Sequence, residues 1–200
     1  MTATAVRPAA TLILWRAIPA TTNPQVLMGQ RGASAAFMPS KYVFPGGAVD
    51  AGDAGSATLA AECRSRLSQV CPPDAPSPEA LAACARRELA EETGLILGAN
   101  APLSFIFRAI TPAGSPRRFD ARFFLATASD ILGDPDDFTQ AEDELSHLHW
   151  IGLDAARHLD LPFITEIVLA EVAAILNGQP QPGVPFFDNS GPVPQFRRLI

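Results

Sequence analysis

The strongest local signal in the sequence is a helix that begins after Ser77 and ends before Gly94. Serine is a good N-cap, and Pro78 suits the first helical position because its missing N–H would have no partner there. Glu79 places a negative charge at the positive end of the helix dipole. Gly94 is placed to cap the carboxyl end, so the sequence predicts a helix that runs to about Glu92.

Apolar runs on both sides of this helix predict strands that build a sheet. The expected strands cover 11–15, 26–31, 42–44, 103–110, 118–128 and 148–152, with a turn at 21–24 and further helices within 57–70 and over 163–176. Pro45-Gly46-Gly47 is expected to stop the third strand. The order strands, helix, strands, helix predicts an α/β fold with a mixed sheet and helices on both faces.

Two segments depart from this pattern of strands and helices. Length and composition indicate the number of domains and exclude a disordered chain. The segment of about 48–77 is rich in Ala, Gly, Asp and Pro and is expected to be an insertion, while the Pro-rich tail 179–200 is expected to be extended and laid over the body. The 200 residues predict a single domain, 1–200. A hydrophobic content of 48% excludes wholesale disorder.

Charge and cysteine content limit the compartments and the classes of partner that we expect for this chain. The net charge of −6 argues against a basic nucleic-acid surface, and no apolar run reaches the ~18–20 residues that a membrane span needs. Three cysteines without close spacing fit a reducing compartment better than a disulfide framework. These features predict a cytoplasmic protein that binds neither nucleic acid nor a membrane.

The end of the predicted helix carries an unusual acidic cluster. Glu88, Glu91 and Glu92 share one helix face, where their charges repel each other and meet the unfavourable end of the helix dipole. Arg87 lies four residues before Glu91 and can pair with it. A divalent cation such as Mg²⁺ would relieve the repulsion, because it prefers carboxylate oxygens. The pattern alone leaves a second interpretation open, which is a solvated acidic helix end.

The same stretch resembles the signature of the Nudix hydrolases: Gly, five residues, Glu, seven residues, then Arg-Glu-apolar-any-Glu-Glu-any-Gly-apolar. Glu79 and the run 87–95 match its second part at every fixed position. Gly47 resembles the first position but lies 32 residues before Glu79 instead of 6, so 26 residues are inserted. The resemblance implies a Nudix-type α/β/α sandwich with a central mixed sheet and an insertion inside the Nudix box.

An interrupted box is similar to that of the Nudix subgroup that acts on coenzyme A and acyl-CoA. Residues 31–47, 111–124 and 144–151 also resemble this subgroup. The resemblance implies cleavage of CoA or acyl-CoA to 3′,5′-ADP and 4′-phosphopantetheine. Two alternatives stay open: a pyrophosphatase acting on ADP-ribose or NADH, and a non-catalytic module that binds a nucleotide.

The resemblance also implies the site residues and a cofactor, Mg²⁺ or Mn²⁺. The implied metal ligands are Glu88, Glu91, Glu92 and the Gly46 carbonyl, with Arg87 orienting a carboxylate and with Glu79 and Gly47 in supporting positions. The general base is one of these glutamates or a later loop acid, first Glu144 and then Glu142. Arg31 and Arg118 are the candidate phosphate contacts. A homodimer through helix 163–176 or the tail is one open alternative, and an intramolecular role for both is the other.

Overall fold

Eleven strands lie in the part of the chain that this computed structural model describes, residues 4–19, 23–54 and 59–200. They are β1 Val6–Arg16, β2 Gln25–Arg31, β3 Tyr42–Val43, β4 Gly46–Ala48, β5 Ile96–Leu97, β6 Ser104–Ile110, β7 Arg118–Thr127, β8 Ile131–Leu132, β9 Leu145–Gly152, β10 Val184–Asp188 and β11 Gln195–Leu199. The helices are α1 Ala61–Leu67, α2 Pro78–Thr93, α3 Leu153–Ala156 and α4 Phe163–Leu176, and a 3₁₀ turn spans Ala128–Asp130.

Nine of these strands form one mixed sheet. Its order is β11-β10-β6-β7-β1-β2-β3, while β4 pairs with β1 and β9 pairs with β2. The β1–β7 and β10–β6 pairs are parallel, and the other pairs of this sheet are antiparallel. The remaining strands, β5 and β8, form a small antiparallel pair of their own.

Helices cover both faces of the large sheet, because strand side chains alternate between the faces. Leu12 and Leu14 of β1 lie in one hydrophobic cluster with buried residues of α1 and α2. Ile13, between them, lies in the other cluster with buried residues of α3 and α4. The predicted α/β architecture with a central mixed sheet is therefore confirmed.

The helix that the sequence signals most strongly has both predicted caps. The Ser77 hydroxyl accepts a hydrogen bond from the Ala80 N–H at 3.1 Å. Gly94 adopts a left-handed conformation with φ of 74°, and its N–H donates to the Ala90 carbonyl at 2.9 Å. The two caps confirm α2, which carries the acidic cluster, and define where this helix begins and ends.

The structure corrects the expectation for the tail and confirms the end of the third strand. The tail is extended, but it joins the sheet as β10 and β11 beside β6 instead of lying over the body, because the apolar run 184–187 pairs despite its proline. The third strand ends at Val43, before Pro45-Gly46-Gly47, as expected. Gly46–Ala48 forms a separate strand, β4, which pairs with β1, whereas β3 pairs with β2.

Parts of two further expectations lie outside the described residues. These are positions 21 and 22 of the predicted turn, and positions 57 and 58 of the predicted helical segment, of which Ala61–Leu67 is helical. Within the described ranges, no helix has the length and apolar character that crossing a membrane requires.

Candidate active site

The carboxyl half of α2 lies against β4, and Glu92 is the most deeply placed acid of the box. It is 2% exposed, and its Oε2 accepts a hydrogen bond from the Gly46 N–H at 2.8 Å. Oε1 is buried without a hydrogen-bond partner among the described residues. Burial raises the pKa of Glu92 to about 8, and the negative charges of Glu144 and Glu88 act in the same direction.

The two glycines of β4 allow the backbone to approach the box closely. A Cβ on Gly47 would lie 2.4–2.6 Å from the carboxylate atoms of Glu88, and one on Gly46 would lie 2.7 Å from the Ala10 carbonyl oxygen. Any larger residue would therefore displace a side chain or the neighbouring strand. Burial raises the pKa of Glu88, which is 9% exposed. The two glycines thus allow the backbone of β4 to lie directly against two buried carboxylates.

Arg87 organises the acidic cluster. Its Nη1 donates to Glu88 Oε1 and to Glu91 Oε2, each at 2.8 Å. Its Nε and Nη2 donate to the two carboxylate oxygens of Asp53 at 2.8 and 3.0 Å. The hydrogen bonds to Asp53, more than any other contact, hold the pKa of Arg87 above its ordinary value, and those bonds lower the pKa of Asp53. The expected Arg87–Glu91 pair is confirmed.

Glu79 does not take part in this cluster. Its carboxylate pairs with Arg64 of α1 at 2.6 Å and not with Arg87. Glu79 lies eight residues before Arg87, which separates the two by about 12 Å along the helix axis. Asp53, which is 7% exposed, pairs with Arg87 instead, and it was not predicted from the sequence. The signal was its spacing, since five residues separate it from Gly47, as in the signature.

A cavity of about 490 Å³ opens beside the box. Its lining includes Gly46, Gly47 and Glu88 together with Arg31 and Glu144. The Arg31 Nη2 atom donates to Glu144 Oε1 at 2.9 Å, so the candidate phosphate contact and the candidate base lie side by side in the cavity lining. The second loop candidate, Glu142, is not part of the described lining, and its backbone N–H bonds to the Glu91 carbonyl.

The cavity lining is also rich in aromatic side chains. It includes Phe37, Phe119, Phe123, Phe163 and Phe187. The rings of Phe37 and Phe119 pack edge to face with centroids 5.1 Å apart. An apolar or flat aromatic group fits such a lining better than a charged one.

Arg118 does not line this cavity. It begins β7, and because side chains alternate along a strand, Arg118 points away from the face that carries Phe119. It is 8% exposed and donates through Nε to the Thr111 carbonyl at 3.2 Å. The structure therefore does not bring Arg118 into the described lining that contains Arg31. Two other arginines line the cavity at exposed positions, Arg7 and Arg117.

The acidic side chains fit a hard divalent cation, although Arg87 now compensates part of their charge. No three acidic, His or Cys side chains of the described residues already converge as a metal cluster. Glu92 nevertheless keeps a buried, unpartnered carboxylate oxygen, and Glu88 lies close by with a second buried carboxylate. Carboxylate oxygens are the donors that Mg²⁺ and Mn²⁺ prefer.

Comparison with known proteins points to the same family. Residues 76–171 match the family model described as the NUDIX domain. A search of curated protein sequences found no match.

Three solved structures are similar. A NUDIX hydrolase from Alicyclobacillus acidocaldarius has 29% sequence identity and a TM-score of 0.64, with 85% of this chain and 92% of that chain covered. A MutT NUDIX hydrolase from Burkholderia pseudomallei has 20% identity and a TM-score of 0.55, with coverage of 84% and 98%. The NUDIX domain of Shewanella oneidensis NrtR, solved with ADP ribose, has 15% identity and a TM-score of 0.54, with coverage of 86% and 90%.

The last two likenesses, at low identity, show the fold alone. The family match covers the half of the box that includes the glutamates, and the first structure adds a hydrolase of higher identity over most of the chain. Residues 76–171 therefore match the NUDIX domain, and the chain is similar over most of its length to a NUDIX hydrolase, which indicates a hydrolase of the pyrophosphatase class.

Proposed function

We propose that the protein hydrolyses the diphosphate linkage of a nucleoside diphosphate derivative with the help of Mg²⁺ or Mn²⁺. The observation that carries the proposal is Glu92, a buried carboxylate whose Oε1 has no hydrogen-bond partner in the described part of the chain, while the Gly46 N–H fixes Oε2. Glu88, Glu91, Glu92 and the Gly46 carbonyl would hold the cation. When bound, the cation would neutralise phosphate charge and activate water.

The protein's own groups divide the remaining work. Arg87 fixes Glu88 and Glu91, so that both carboxylates keep their positions while negative charge accumulates nearby. Arg31 binds a phosphate oxygen through its guanidinium, which is suited to bidentate contact. Glu144 then exchanges its contact with Arg31 for the attacking water and accepts the proton from it.

Within this class we propose coenzyme A or acyl-CoA as substrate, cleaved to 3′,5′-ADP and to 4′-phosphopantetheine or its S-acyl derivative. The size and chemistry of the cavity support this, because a flat adenine fits beside the edge-to-face pair Phe37 and Phe119. Arg7 and Arg117, which line the cavity at exposed positions, offer positive charge for the 3′-phosphate that distinguishes CoA from ADP-ribose and NADH.

The test is a substrate panel with products separated by chromatography. CoA, an acyl-CoA, dephospho-CoA, ADP-ribose and NADH are incubated with the protein in Mg²⁺, in Mn²⁺ and in EDTA. We expect 3′,5′-ADP from CoA and the acyl-CoA in either metal, and no product in EDTA. Faster cleavage of ADP-ribose or NADH would keep the diphosphate reaction and reject CoA. No cleavage of any compound by the folded, metal-loaded protein would reject the proposed activity.

A further inference from the structure

We infer that Asp53 is the residue that positions Arg87 in the interrupted box, so that the insertion begins after Asp53 and not after Gly47. The inference rests on the proposed function, since the carboxylates that Arg87 holds are the proposed metal ligands. It assigns the positioning of Arg87 to Asp53, a residue of the segment 48–77. Glu79 then has a different role, which is to anchor the insertion.

The contact between Asp53 and Arg87 is built to orient the guanidinium. Both carboxylate oxygens of Asp53 accept hydrogen bonds from one edge of the Arg87 guanidinium, from Nε at 2.8 Å and from Nη2 at 3.0 Å. The side chain of Asp53 is 3% exposed, and its Oδ2 also accepts from the Asp50 N–H at 2.8 Å. This two-point contact directs the remaining nitrogen, Nη1, at Glu88 and Glu91.

The spacing agrees with this geometry. Five residues separate Gly47 from Asp53, the same interval that the signature places between its glycine and its first acid. Asp53 then precedes Arg87 by 34 residues where the signature gives 8, so the 26 inserted residues follow the acid. The short loop from Gly47 to Asp53 therefore keeps the glycine and the acid together, although the chain leaves the site between Asp53 and α2.

The inserted chain is anchored away from the cluster. Glu79 pairs with Arg64 of α1, which lies within the insertion. Farther along, the Gln69 side chain bonds to both backbone groups of Ile200, and the Gln69 carbonyl accepts from Arg108 Nη1 at 2.9 Å. Glu79 thus fastens the insertion to the start of α2, whereas Asp53 acts on Arg87. The two acids should give different phenotypes when their charges are removed.

The experiment compares Asp53→Asn with Glu79→Gln. The matched control is Glu62→Gln, which removes an acid of the same insertion whose side chain is 71% exposed. For each protein we measure kcat and KM for the best substrate of the panel, Mn²⁺ affinity by calorimetry without substrate, and thermal unfolding. We expect Asp53→Asn to lower kcat and Mn²⁺ affinity by about 10–100-fold, with KM within about threefold of wild type.

Two comparisons separate positioning from a general structural effect. Asp53→Glu, which restores a carboxylate, should recover kcat to within about tenfold of wild type, whereas Glu79→Gln should lower kcat by less than about threefold. Glu62→Gln should change none of the quantities. If Asp53→Asn does not fold, Asp53→Ser replaces it under the same thresholds.

The inference is overturned if Asp53→Asn keeps kcat and Mn²⁺ affinity within about twofold of wild type, or if Glu79→Gln causes the larger loss. A wild-type protein that neither binds Mn²⁺ nor cleaves any member of the panel would instead reject the proposed function. The two failures are therefore distinguishable.

Discussion

Replacing Glu92 with glutamine should stabilise the metal-free protein at high pH. Burial raises the pKa of Glu92 to about 8 in the folded protein, whereas its ordinary value is 4.5. Between these values the folded protein binds more protons than the unfolded chain, so the free energy of unfolding falls as the pH rises from about 4.5 to about 8. The Glu92→Gln variant has no carboxyl group at this position, so its free energy of unfolding does not fall for this reason.

The size of the effect follows from the same two pKa values. Between about pH 5 and about pH 8.5, they correspond to a loss of about 4 kcal/mol in the wild type. Local relaxation and water entry around the charge reduce the penalty of a buried ion, so this value is an upper limit. We expect the stability of Glu92→Gln minus that of wild type to increase by about 2–4 kcal/mol over this range.

Urea unfolding in EDTA at these two pH values measures the difference. Glu62→Gln serves as control, because the Glu62 side chain is 71% exposed. Mn²⁺ added at the higher pH should stabilise the wild type more than Glu92→Gln, since the cation favours the ionised carboxylate. A stability difference that changes by less than about 0.5 kcal/mol between the two pH values would refute the argument that Glu92 is destabilised by burial of its charge.

Two further substitutions test other contacts. Asp120→Asn should lower the free energy of unfolding by about 3–5 kcal/mol in urea titrations, because it leaves the buried Arg108 and Arg122 without their shared counter-charge; a loss below about 1 kcal/mol would contradict this. Arg31→Ala should lower kcat/KM by about 10–100-fold through loss of a charge-assisted phosphate contact, with only partial recovery in Arg31→Lys, and unchanged steady-state kinetics would remove Arg31 from the site.

Features set by neighbours along the chain were predictable. The caps Ser77 and Gly94 act through backbone groups within a few residues, and both form as expected. The shared helix face of Glu88, Glu91 and Glu92 follows from the helical repeat alone. The order of the strands and helices likewise indicated a sheet covered on both faces.

Contacts across the insertion were not predictable in the same way. The pairing of Glu79 with Arg64 depends on where α1 packs, which the composition of the insertion does not reveal. Asp53 reaches Arg87 from 34 residues away, and its spacing from Gly47 was the only local sign. Arg118 shows a third limit, because shifting by one position along a strand moves a side chain to the other face.

The most direct test of the account is the rate at which Glu92→Gln releases 3′,5′-ADP from CoA in Mn²⁺, compared with wild type under saturating substrate. Loss of a metal ligand should lower kcat by at least about 100-fold, while circular dichroism shows that the variant is folded. A folded Glu92→Gln variant that cleaves CoA as fast as wild type would show that the buried box carboxylate does not hold a catalytic cation, and it would contradict the account.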